Sequence, residues 1–92
     1  MNELDKVIAK EVFGIEVGGA HYSSDIAEAF NVLTTMRAKG WFFRLDSYKN
    51  TEFICTLQNI DRKTFSVTAP SAAQAICECA ARTFNVPTKE KN

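Results

Sequence analysis

Between Trp41 and Thr68 the chain alternates apolar and polar side chains through three short runs, and this alternation limits the fold more than any other feature. The runs are Trp41–Tyr48, Glu52–Gln58 and Thr64–Thr68, separated by turn-forming breaks at Lys49-Asn50 and at Asn59–Lys63. Side chains of a strand point alternately to its two faces. One face therefore collects Trp41, Phe43, Leu45, Phe53, Cys55, Leu57, Phe65 and Val67. The other collects Phe42, Arg44, Asp46, Tyr48, Ile54, Thr56, Gln58, Thr64, Ser66 and Thr68. Such asymmetry predicts an antiparallel meander with helices packed on its apolar side.

Helical spacing flanks the strands. Leu4, Val7, Ile8 and Val12 recur at helical intervals from Glu3 to about Phe13, and Gly14 offers a stop. The stretch from Ile15 to Tyr22 reads as a turn-rich connection, with a short extended piece at Ile15–Val17. A second helix is capped by Ser24 or Asp25, with Glu28 three positions on as a capping-box partner. Its apolar stripe is Ile26, Ala29, Phe30, Leu33 and Met36, its last turn carries Arg37 and Lys39, and Gly40 supplies the C′ residue. A last helix begins at Pro70-Ser71 with an S-x-x-Q box of Ser71 and Gln74. It buries Ala72, Ala75, Ile76, Cys79, Ala80 and Phe84 and ends at Asn85 and Pro87. The expected fold is α+β in the order α-α-β-β-β-α, one domain over residues 1–92 with a flexible tail at 88–92.

Composition then excludes several function classes. Lysine plus arginine equal aspartate plus glutamate at 11 each, so no cationic excess is present to neutralise the phosphates of a duplex. A formal charge of zero also gives little protection against association, which leaves room for a standing protein partner or a homodimer. Cys55, Cys77 and Cys79 are odd in number and follow a charged start, MNELDKVIAK, without an apolar leader. Reduced thiols in a cytosol are the expectation, and no apolar run is long enough to span a bilayer.

No catalytic or cofactor constellation emerges. His21 is the single histidine and has no cysteine or carboxylate at ligand spacing, so it reads as a loop residue. Cys77 and Cys79 would lie about 200° apart around a helix and could not face one metal ion. Cys55 lies on the core face of a strand, where it acts as a small hydrophobe. Gly18-Gly19 has neither of the phosphate-loop spacings. Asp25, Glu28 and Asp61 read as capping or solvated carboxylates rather than as an acid–base pair. The expectation is therefore a non-enzymatic protein with no metal and no cofactor.

The candidate binding residues lie on the polar strand face: Phe42, Arg44, Asp46, Tyr48, Thr56 and Gln58. Aromatic rings among hydrogen-bonding groups suit a protein interface or a platform for stacking bases. The competing reading is that the first helix, or a second copy of the chain, covers this face.

Three segments carry a family resemblance: DKVIAKEVFGIEV, SSDIAEAFNVLTTMRAKGWFFRL and TAPSAAQAICECAARTF. Val7 to Gly14, Tyr22 to Ala27, Lys39 to Trp41 and Pro70 to Ala81 resemble, in order, the pattern of the phage ABA sandwich domain. Ile15 stands where that family often has tryptophan, and the loop from Glu16 to His21 is shorter than in many relatives. The resemblance implies a phage or prophage origin and a place in the host cytoplasm, and it implies no chemistry. It points to an accessory protein that binds a host protein, counter-defence of an anti-CRISPR kind being its sharpest form. The terminal α-β-β-β-α order is also similar to the double-stranded-RNA-binding fold. There a lysine cluster opens the last helix, whereas here that stretch is Ser71-Ala72-Ala73-Gln74, which argues against nucleic acid. A sponge for a signalling nucleotide is the third reading, and the sequence offers no phosphate clamp for it.

Overall fold

The computed structural model describes residues 3–15, 20–49 and 51–84, apart from the side chains of Tyr48 and Lys49. Three helices and three strands follow in the order α1 (Glu3–Glu11), α2 (Ile26–Ala38), β1 (Phe42–Lys49), β2 (Glu52–Gln58), β3 (Thr64–Ala69) and α3 (Ala72–Thr83). The protein is an α+β fold with an open antiparallel sheet of order β1-β2-β3. The extended piece at Ile15–Val17, Gly18-Gly19, the helix stop at Asn85 and Pro87 and the tail at 88–92 fall wholly or partly outside the described residues.

Local chemistry sets each boundary. Asp25 caps α2, its Oδ1 accepting the Ala27 N–H at 3.0 Å. Ser71 caps α3, accepting the Gln74 N–H at 3.2 Å. Neither cap uses the acid or amide three positions on as the sequence suggests. Glu28 accepts from Asn31 instead, and the Gln74 amide nitrogen donates forward to Glu78. At the end of α2, Gly40 takes φ 102°, a left-handed value that favours glycine. Gly40 N–H donates to Arg37 O and Trp41 N–H to Met36 O, both at 3.0 Å, forming a Schellman motif. This reversal sends β1 back along α2. In the β2–β3 turn, Asn59 Oδ1 accepts from the N–H groups of Asp61 and Lys63, with Arg62 at φ 69°.

The core is organised around α3. From Ala75 to Ala81 every residue of this helix is at most 3% exposed, Glu78 included. One side meets β2 and β3, and the others meet α2 and α1. The sequence assigned it a single buried stripe. Burial on all sides follows because alanine and cysteine leave room for neighbours to approach from every direction. Ile76 of α3 and, around it, Ile8, Leu33, Met36 and Leu57 are fully buried, each contributing about 1.5–3 kcal/mol.

α1 stacks on α3 and is pinned to the segment before α2. Buried Asp5 accepts the Ser23 N–H at 2.8 Å, and the Phe13 and Tyr22 rings stack at 5.1 Å. Nothing in the spacing of α1 marks Asp5 as a buried residue.

Two helical positions depart from the expected stripe. In α2 the buried set is Ala29, Val32, Leu33 and Met36, whereas Ile26 and Phe30 are 46% and 47% exposed. The helix is rotated by about 50° from the expected orientation, taken at 3.6 residues per turn. Docking against α3 on one flank, rather than squarely on the sheet, causes the rotation. On the sheet, Phe43 points to the helix side yet stays 45% exposed, because β1 is an edge strand at the margin of the helix layer.

Enlarging α3 should therefore be costly wherever it is tried. We predict that Ala81→Leu loses about 1–3 kcal/mol and lowers the melting temperature by at least about 4 °C. Arg82→Leu, at the exposed next position, should stay within about 0.5 kcal/mol. Thermal melts of the two variants measure the contrast.

Candidate functional site

The strand register assembles the polar face into three cross-strand rows. Phe42 lies opposite Gln58, which lies opposite Thr64. Arg44 pairs with Thr56 and Thr56 with Ser66, and Asp46 pairs with Ile54 and Ile54 with Thr68. The helix-side face forms the complementary rows Phe43–Leu57–Phe65, Leu45–Cys55–Val67 and Ser47–Phe53–Ala69. Helix α1, the competing cover for the polar face, lies against α3 on the other side of the molecule. Phe42, Arg44, Gln58, Thr64, Ser66 and Thr68 are exposed, and Asp46, Ile54 and Thr56 are half-buried.

Interactions within this face are local. Arg44 Nε lies 3.0 Å from Asp46 Oδ2, one step along the same face of β1. The Arg44 side chain is 75% exposed, so the pair adds at most about 1 kcal/mol. It does, however, offset the charge of the one arginine in the three rows. The hydroxyls of Thr56 and Ser66 share a hydrogen bond of 2.8 Å in the middle of the sheet. The face is thus a shallow surface of hydroxyl, amide and aromatic groups. Phe42, Arg44, Asp46, Thr56 and Gln58 are brought together on it. Tyr48 belongs to β1, but its side chain lies outside the described residues.

Sequence reasoning missed Arg37, whose guanidinium lies 4.5 Å from the centroid of the Phe42 ring. The signal was available in the Schellman turn. A helix that reverses within Lys39-Gly40 brings its last-turn cation beside the first residue of the following strand.

The sequence pattern of the phage ABA sandwich domain matches residues 2–81. The chain belongs to that family. A phage protein from Bacillus cereus, known from a 2.0 Å crystal structure, superposes with a TM-score of 0.75 over 88% of this chain and 90% of its own, at 21% identity. At that identity the likeness establishes the fold. No curated protein matches.

Elsewhere in this ABA sandwich domain, the groups most able to do chemistry are withdrawn. Cys55, Cys77 and Cys79 are all fully buried. Cys79 Sγ donates to Phe65 O at 3.2 Å on the sheet side of α3, whereas Cys77 faces Asp5 of α1. A hydrogen bond with Cys79, together with burial, holds the Cys55 thiol far above its ordinary ionisation range. Burial first, then Asp5 and Glu78, does the same for Cys77. Protonated, enclosed thiols are poor nucleophiles. His21 is exposed in a turn, its carbonyl accepting from Ser24 and Asp25 N–H. Among the described residues, no helix is long and apolar enough to cross a membrane, and no group of three or more histidine, cysteine or acidic side chains could hold a metal ion.

These thiols make stability depend on pH. An ordinary thiol ionises near 9.0, so above that pH the unfolded chain releases protons that the folded chain retains. The stabilisation is complete below pH 9 and declines as pH rises beyond it. Between pH 8 and pH 10, the wild type should lose about 1 kcal/mol more stability than Cys77→Ala, as read by urea unfolding.

Proposed function

We propose that this domain is a phage accessory protein that acts by binding a host macromolecule, a protein rather than a nucleic acid, through the outer face of its sheet. The observation that carries the reading is the asymmetry of the meander. One face is packed beneath α3 and α2, and the other is left open with its rows in register. A face with aromatic Phe42, the Arg44–Asp46 pair and a centre of hydroxyl and amide groups has the mixed character of a non-obligate protein interface. Duplex binding draws no support from it. The single arginine in the rows is charge-paired, and the first turn of α3 contains no cation.

On this reading the protein is not an enzyme and works by occupying a surface of its target in the host cytoplasm. Inhibition of a defence component, of an anti-CRISPR kind, is the finer form of the proposal. Phage kinship and a binding face combined with buried thiols support it.

The test places a bulky charge in the middle of the face, away from both sheet edges. Tagged Thr56→Arg and wild-type protein are compared in capture from nuclease-treated host lysate, alongside thermal melts. Losing the Thr56–Ser66 bond costs about 1 kcal/mol, a drop of several degrees. Specific capture should fall by at least about tenfold, which is more than so small a loss of stability can produce. Undiminished capture by the variant would remove the sheet face from consideration.

A further inference from the structure

Three observations converge on the β1 side of the molecule, which the reading above uses only through Phe42, Arg44 and Asp46. Strand β1 is an edge strand, and among the described residues no strand pairs with its outer side. Every second residue of such a strand turns its N–H and C=O away from the sheet, and an edge of this kind is a template for another strand. The opposite edge, β3, lies beneath α3, and the exposed large hydrophobic nearest to it in the chain is Ile60, in the β2–β3 turn rather than on the strand.

The second observation is the flank of α2. Ile26, Phe30 and Arg37 fall within about 40° of one another around the helix axis. Arg37 reaches the ring of Phe42, the first residue of β1, so this flank of α2 is the one turned toward β1 rather than toward α3. Ile26 and Phe30 on that flank and Phe42 and Phe43 at the start of β1 are 46%, 47%, 51% and 45% exposed. Together they offer roughly 350 Å² of apolar side chain.

Third, β1 is self-complementary in charge. Two copies related by a two-fold axis normal to the sheet pair residues of the same face. Centring the axis on Arg44 or on Asp46 sets like charges opposite each other. Centring it on Leu45 places Arg44 against the partner's Asp46 twice, with Leu45 against the partner's Leu45 and Phe43 against the partner's Ser47. The register irregularity between Ser47 and Lys49 begins where this pairing ends. Charges and bulges commonly guard an edge against pairing. Here the charges disfavour the registers centred on Arg44 and Asp46 and favour the one centred on Leu45, where each charge meets its opposite.

We infer that the chain forms a symmetric dimer through antiparallel pairing of β1 with β1 of a second copy, with the Ile26–Phe30 flanks of the two α2 helices meeting above the seam. The sheet becomes six-stranded, and its polar face is doubled in width without being covered. The side-chain area of the two copies, roughly 700 Å², with the strand edges added, places the contact in the small size class of weak, reversible complexes.

Sedimentation velocity over micromolar to sub-millimolar concentrations tests the dimer, and charge reversal tests its register. Arg44→Asp alone and Asp46→Arg alone should each sediment as monomers. Their equimolar mixture should recover the dimer, and so should the double variant carrying both changes. Phe30→Glu, at an exposed helix position remote from strand formation, should weaken association by at least about tenfold. A wild-type monomer at every concentration overturns the inference. So does a dimer that survives both single reversals, or one indifferent to Phe30→Glu. Because the readout is self-association, failure here leaves the proposed host-binding face untouched.

Discussion

The whole arrangement depends on α3 being narrow enough to be enclosed. A helix that lies on a sheet ordinarily leaves its outer side to solvent. Here Ala73, Cys77, Ala80 and Ala81 make that side as apolar and as small as the inner one, and α1 and α2 close over it. Small side chains add little transfer free energy of their own. Their contribution is proximity, which lets Ile8, Leu33, Met36 and Leu57 fill the spaces around the helix at the density of a close-packed interior. Buried Glu78 is tolerated because Gln74 donates to it one turn earlier on the same helix.

Enclosing α3 consumes the covering capacity of the other two helices. With α1 and α2 committed to it, neither remains to shield the second face of the sheet. That face must therefore be polar to remain in water, and its rows of threonine, serine, glutamine and the Arg44–Asp46 pair meet the requirement. The same commitment pulls α2 toward α3 and away from the sheet's margin. Phe30, Ile26 and Phe43 are thereby left more open than side chains of that size usually are. The open polar face and the apolar edge are two results of one packing decision.

Element order, the strands and both helix caps could be read from the sequence because their signals are local. Asp25 and Ser71 cap through a bond two or three residues away, Gly40 ends α2 within its own turn, and strand alternation has a period of two. The central members of the apolar face, Cys55, Leu57 and Val67, were identifiable for the same reason. Asp5 bonded to Ser23 and the rotation of α2 were not, since each depends on where one element docks against another. Capping boxes failed in their second half because the reciprocal side chain had a competing neighbour: Asn31 beside Glu28, and Glu78 one turn beyond Gln74.

By itself, then, the sequence determined the α+β class, the order of elements, the family and which side chains share each face of the sheet. These follow from periodicity, caps and turns, which act over a few residues. Only the tertiary structure decided that α3 is enclosed on every side, that α1 lies far from the polar face and that Ile26 and Phe30 of α2 stay exposed. Such choices come from competition among elements for one limited buried surface, and no single segment carries a record of the outcome.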